Sequence, residues 1–151
     1  FNNQPWRFIY AKRNTPEWDG LFSLLVEANQ KWAKNASVLV VVVARKKSEY
    51  KDSDYPTYAF DTGAAWENLA IEAVSRGLVT HAMAGFDYEK TRVNLEVPDI
   101  FDVMAMIAIG KQDSKEKLAE EFAKNEVPSD RKHLRDIVMH GKFSSIQSID
   151  S

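Results

Sequence analysis

The sequence has no cysteine among its 151 residues. Disulfides, thiolate metal sites and cysteine nucleophiles are therefore excluded, and a reducing compartment, the cytoplasm, is the expected location. Histidine is scarce as well, with only His81, His133 and His140 present. The last two lie seven apart and could share a helix face. No third ligand stands at a metal-site spacing, so no metal is expected. No apolar run approaches the roughly 18 residues of a membrane span and no signal peptide is visible, so no membrane partner is expected. Basic residues number 20 and acidic residues 22, a net charge of -2, and nothing in that balance favours nucleic acid as a partner. There is no phosphate-binding glycine loop, no dinucleotide fingerprint and no serine in G-x-S-x-G. A bound cofactor would have to be held without the usual nucleotide motifs.

What is present is 44% hydrophobic residues, enough for one domain with a real core over residues 1–151. Residues 6–13 read as a strand rich in aromatics, with Pro5 suited to its leading edge. Thr15 is placed to cap a helix that has Pro16 in its first turn. Trp18, Leu21, Phe22, Leu25, Val26, Ala28, Trp32 and Ala33 then form the stripe of one helix. Residues 37–44 are apolar without alternation, which predicts a central strand covered on both faces. A charged, Tyr-rich loop follows over 45–58, either a surface connection or a lid.

The helix expected over 60–76 is apolar nearly all round. Such a helix is either central in the monomer or buried by a partner subunit. Gly77 suits the left-handed position that ends it. A short strand over 78–83 breaks at Ala84-Gly85-Phe86-Asp87. A helix over 87–96, capped by Asp87, stops before Val97-Pro98. Residues 101–109 form a last strand closed by Gly110. Helices over 114–125 and 130–140 and a polar tail complete an α/β-like or α+β layout.

Three places could carry chemistry. Residues 2–4, Asn-Asn-Gln, bring three amides to the start of the first strand, with six N–H donors and three carbonyl acceptors. They suit an edge that reads a polar planar ring, or an ordinary capped turn. Gly85, after an apolar strand, lets backbone approach a flat ligand closely, or simply makes a turn. Arg131 and Lys132 are a basic pair able to meet a phosphate, or a solvated surface. His81 is either a proton donor or ring partner, or a structural histidine at the sheet edge.

Taken together, these stretches resemble the nitroreductase family of FMN-dependent oxidoreductases. Asn2-x-Gln4-Pro5-Trp6-Arg7-Phe8 resembles its opening signature, and Gly63-Ala64-Ala65 through Asn68-Leu69 to Arg76-Gly77-Leu78 its central helix. Met83-Ala84-Gly85-Phe86-Asp87 resembles its second signature, followed by the strand from Pro98 to Gly110. Arg131-Lys132-x-Leu134-x-x-Ile137-Val138 resembles its carboxyl-terminal segment. The resemblance implies an α+β fold, a mostly antiparallel central sheet flanked by helices. It also implies a homodimer with FMN at the subunit interface.

NADH or NADPH would then give hydride to the flavin, and nitroaromatic compounds, quinones or similar small molecules would accept the electrons. Asn2, Gln4, Met83, Ala84 and Gly85 would lie at the flavin ring. Arg131 and Lys132 would meet its phosphate. No side chain would be catalytic in its own right, because the flavin carries the chemistry. Tyr50, Tyr55 and Tyr58 could line the substrate pocket, or be solvent-exposed loop residues. Family members carry a helix and an R-x-S-x-R-like segment before the opening signature. Since this chain starts at that signature, an amino-terminal truncation is expected. The alternative is a noncatalytic flavin-binding protein, or a cofactor-free interaction protein with the same fold.

Overall fold

The computed structural model describes residues 1–51, 53–124 and 126–143. They fall into two compact units, Phe1–Asp113 and the residues from Ser114 onward. The polar tail expected at the carboxyl end lies outside the described residues from position 144 on.

The first unit is built on four strands: β1 (Trp6–Lys12), β2 (Val38–Arg45), β3 (Val79–Met83) and β4 (Phe101–Gly110). Their order is β1-β2-β4-β3, and every pairing is antiparallel. The non-alternating run of valines is indeed central, with Leu39 to Ala44 buried on both faces. On one face, Leu39, Val41, Val43, Met83 and Met106 pack against Trp18, Leu21, Leu24, Leu25 and Phe86. On the other, Val40, Val42 and Ile107 meet Trp66.

Helix α1 (Pro16–Phe22) begins as expected, with the Thr15 hydroxyl accepting from the Trp18 N–H and Pro16 in the first turn. It does not run on to Ala33. A separate helix α2 spans Glu27–Ala33. The apolar stripe is continuous across the break, but residues 24–26 pair with residues 85–87 instead of continuing the helix. Leu25 forms a β-bridge with Phe86. Val26 N–H donates to Gly85 O and Asp87 N–H to Leu24 O.

Helix α3 (Tyr58–Ser75) has buried residues only at Thr62 and Ala73. It is not central in the monomer. Trp66 packs on the sheet, while Phe60, Ile71 and Val74 on the opposite side are 79%, 60% and 67% exposed. The helix ends as expected at Gly77, which has φ +70°. Leu78 N–H reaches Ala73 O and Gly77 N–H reaches Val74 O, the paired bonds of a Schellman ending. Helix α4 (Tyr88–Asn94) is capped by the Asp87 carboxylate, which accepts from Lys90 N–H.

The second unit is less helical than its sequence suggests. In place of 114–125 there is a single 3₁₀ turn at Lys115–Lys117 and the short helix α5 (Glu120–Ala123). In place of 130–140 there is α6 (Leu134–Ile137). None of these short pieces buries a residue. Without an apolar face to pack, such segments lack the tertiary contacts that sustain most helices.

Candidate functional site

β1 begins, β2 ends and β4 begins at the same end of the sheet, and β3 runs out toward that end. Residues 2–5 precede β1 there, and residues 84–87 follow β3. The two segments stand on opposite edges of the sheet, three strand spacings or about 14 Å apart. A group touching both must reach across the strand ends.

The opening amides face alternately out and in. Asn2 and Gln4 have φ of 50° and 44°, the left-handed region that side-chain-bearing residues seldom adopt. Their side chains are exposed, and neither amide makes a hydrogen bond among the described residues. Between them Asn3 is buried, and its Oδ1 accepts from Ser48 Oγ at 3.1 Å and Glu49 N–H at 3.2 Å. Arg7 donates to Gln4 O at 2.7 Å and pairs with Glu49 at 2.7 Å. Arg45 N–H donates to Pro5 O at 2.9 Å. Asn3 and Arg7 thus hold the unusual backbone that turns Asn2 and Gln4 outward. Three consecutive amides gave no sign of which one points inward.

On the other edge Met83 is buried, Ala84 exposed and Gly85 half-buried. Met83 lies opposite Met106 at the last register position of β3. Gly85 is not in the left-handed region. Its lack of a side chain is explained by close approach: a Cβ there would come within 2.5 Å of Asn29 Nδ2. Asn29, on α2, was not singled out by sequence. Arg131 and Lys132 are exposed residues of the second unit. One Arg131 nitrogen donates to Ser129 O at 3.0 Å and to Ser129 Oγ at 3.1 Å. His81 sits on the edge strand β3, exposed, with its ring 4.7 Å from that of Trp32.

The expected pocket tyrosines are divided. Tyr50 is exposed, whereas the Tyr55 hydroxyl donates to the Asp61 carboxylate. Tyr58 opens α3 and donates to Asp102 Oδ2 at 2.8 Å. A bulge at Val42/Val43 shifts the alternation of β4 and so brings Asp102 to the face that α3 covers. Lys46 Nζ lies 3.2 Å and Arg92 3.8 Å from Asp102 Oδ1. Tyr58, Tyr88, Arg92 and Asp102 line a cavity of about 290 Å³. A larger one, about 510 Å³, lies by Arg13, Pro16 and Trp18, at the other end of the sheet. None of the expected cofactor residues lines either cavity.

Desolvation pushes the Asp102 carboxyl up, but the Tyr58 hydrogen bond and the Lys46 and Arg92 charges outweigh it and leave the group below its ordinary 3.8. The hydrogen bond to Asp102, with desolvation and the carboxylate's charge, raises Tyr58 above its ordinary 10.0. A depressed carboxylate contributes stability above its unfolded value and loses it as pH falls through the folded one. A raised phenol contributes below its unfolded value and loses it as pH rises through the folded one. Tyr58→Phe will therefore destabilise by on the order of 1 kcal/mol at neutral pH. Thermal melts of both proteins will converge below about pH 4 and above about pH 10. A difference that is constant from acid to alkaline pH would refute this account.

Comparison with known proteins places this arrangement. The model of the Nitroreductase family matches residues 11–111. An uncharacterized 15.4 kDa protein in the ask 5' region of Mycolicibacterium smegmatis is 34% identical over 122 residues, 80% of this chain and 81% of that protein. The crystal structure of an oxidoreductase containing FMN superposes with a TM-score of 0.90 at 41% identity, covering 95% of this chain and 74% of that one. A nitroreductase family protein from Streptococcus pneumoniae superposes with a TM-score of 0.66 at 22% identity, over 91% of this chain and 80% of that one. That last likeness carries the fold alone.

Proposed function

The chain belongs to the nitroreductase family, and from that premise we propose that it is an FMN-dependent oxidoreductase. It takes hydride from NADH or NADPH and delivers electrons to nitroaromatic compounds, quinones or similar small acceptors. It works as a cytoplasmic homodimer with the flavin at the subunit interface. The observation that carries the reading is the 0.90 TM-score at 41% identity, over 95% of the chain, to an oxidoreductase containing FMN. No helix among the described residues is long and apolar enough to cross a membrane.

The residues present fit the cofactor. The amides of Asn2 and Gln4 are exposed and unbonded among the described residues, so each can donate to or accept from the polar edge of a ring. Gly85 N–H is likewise unpaired among those residues. Met83 and Ala84 complete the second edge. Arg131, with Lys132 beside it, would hold the phosphate through charge-assisted hydrogen bonds. Bound FMN would supply the two-electron chemistry. The protein's own part is to fix the ring by preorganised donors, leave one face open and shield it from water. The exposed apolar stripe of α3 supports the dimer, since such a stripe is stabilised by burial against a second copy.

The test is direct. Protein incubated with FMN and desalted should retain a flavin absorbance band, and anaerobic NADH or NADPH should bleach it. Retained colour that neither nucleotide bleaches would leave a flavin-binding protein without turnover. A colourless protein would defeat the reading.

A further inference from the structure

The turn after β3 is held by more bonds than a change of direction needs. Gly85 O accepts from Val26 N–H at 3.1 Å and from Asn29 Nδ2 at 2.9 Å. Phe86 N–H donates back to Ala84 O at 3.0 Å, and Asp87 N–H to Leu24 O at 2.9 Å. The peptide joining Gly85 to Phe86 is therefore pinned at both of its polar atoms. The preceding peptide is pinned at its carbonyl and has Gly85 N–H as its other polar group. That N–H has no partner among the described residues.

An unpaired donor in a half-buried turn whose Ala84 and Gly85 carbonyls are both bonded is open to a ligand, because backbone N–H groups away from bulk water are nearly always paired. Asn29 is itself held in place. Its Oδ1 accepts from Trp32 Nε1 at 3.3 Å, and the Trp32 ring lies against His81. Its amide nitrogen approaches so closely that a Cβ on residue 85 would lie 2.5 Å from it and 3.1 Å from Val26 Cγ2. Asn29 and Gly85 are thus one fitted pair: the glycine admits the amide, and the amide fixes the glycine's carbonyl.

We propose that Asn29 is a positioning residue of the cofactor site. By holding the Gly85 carbonyl against α2, it keeps the Gly85 N–H as a fixed free donor for an acceptor atom of a bound flavin ring. The inference rests on the flavin reading above. Asn29 itself touches no reacting atom, so its effect reaches the ring only through the 84–86 backbone. A donor fixed before binding loses no ordering entropy when the ring arrives.

The experiment compares wild type with Asn29→Asp, Asn29→Ala, Gly85→Ala and the Asn29→Ala/Gly85→Ala pair. Asn29→Asp keeps the size and removes the donor. Three quantities are read: the FMN dissociation constant, the midpoint potential of the bound flavin, and the amide NMR signal of Gly85 with and without FMN. In wild type the Gly85 signal should move on FMN addition. Asn29→Asp and Asn29→Ala should each weaken FMN roughly tenfold and shift the flavin potential. Gly85→Ala should lower the melting temperature, and adding Asn29→Ala should restore it without restoring affinity.

Asn29 variants with wild-type affinity and potential would overturn the proposal. So would variants whose affinity and melting temperature fall together while the potential and the Gly85 shift stay unchanged, since Asn29 would then serve the fold alone. Wild-type protein that binds no FMN would fail the flavin reading itself and take this inference with it. The two failures are therefore told apart by the wild-type measurement.

Discussion

Replacing Ile71 and Val74 together by glutamate will produce a folded monomer that no longer retains FMN. Both side chains are more than half exposed in the single chain, so the monomer loses little when they change; surface substitutions of this kind usually stay within about 0.5 kcal/mol. Glutamate is also at least as good a helix former as isoleucine or valine. The opposite side of α3 stays anchored through Thr62, Trp66 and Ala73. The proposed dimer is a different matter. Phe60, Ala64, Ile71 and Val74 follow one another at helical spacing along a single face. A twofold interface uses each of them twice. Burying an Ile or Val side chain contributes about 1.5–3 kcal/mol, and each glutamate would also bring an unpaired charge into the contact. Dimerisation should weaken by at least about a thousandfold. Size-exclusion chromatography with light scattering reads the mass, and absorbance reads the flavin. A variant that remains dimeric would refute the assignment of this face. A monomer that keeps its flavin would show that one chain completes the site.

This helix also marks the limit of reading burial from sequence. Apolar residues all round predicted burial all round, but within the single chain the side that carries Phe60, Ile71 and Val74 is exposed. Local signals fared better. Thr15 and Asp87 cap helices, and Gly77 ends one, because caps depend on two or three neighbouring residues whose chemistry is explicit. The unbroken valine run of β2 declared its central place for the same reason. The break between α1 and α2 was hidden, because Leu24 and Leu25 continue the helical stripe. Only residues 85–87, sixty positions on, decide it.

The candidate site divides in the same way. At Gly85 the sequence left open a flat ligand's close approach or a plain turn, and the neighbour that approaches in the structure is Asn29, on an element distant in sequence. Residues 2–4 were identifiable as a run of amides. That Asn2 and Gln4 face outward and Asn3 inward was not, because inward and outward positions in a turn are set by backbone angles that amide side chains do not announce. The Tyr58–Asp102 contact depends on a bulge in β4 that the apolar run gives no reason to expect.

Asn3→Ala will loosen the opening segment and cost both stability and flavin. Asn3 is buried, and its Oδ1 is the acceptor for two donors, Ser48 Oγ and Glu49 N–H. Truncation leaves both donors without their acceptor in a part-buried turn, a loss of about 1 kcal/mol or more. The left-handed angles at Asn2 and Gln4 persist only while their surroundings impose them, at a cost of about 1–3 kcal/mol each. With Asn3 gone, Arg7 on Gln4 O and Arg45 on Pro5 O remain, but of the links to residues 48–49 only the exposed Arg7–Glu49 pair is left. Asn2 and Gln4 then sample the commoner extended region, and their amides leave the place proposed for the ring edge. FMN affinity should fall roughly tenfold to a hundredfold, the equivalent of about 1.4–2.8 kcal/mol. Asn3→Asp separates the causes. It keeps an acceptor oxygen for both donors, at the cost of a partly buried charge close to Glu49. It should recover part of the melting temperature and part of the affinity relative to Asn3→Ala. Thermal melts and FMN titrations on the three proteins decide it. Equal affinity in wild type and Asn3→Ala would mean that the opening amides do not contact the flavin, and that residues 2–4 are a capped turn and nothing more.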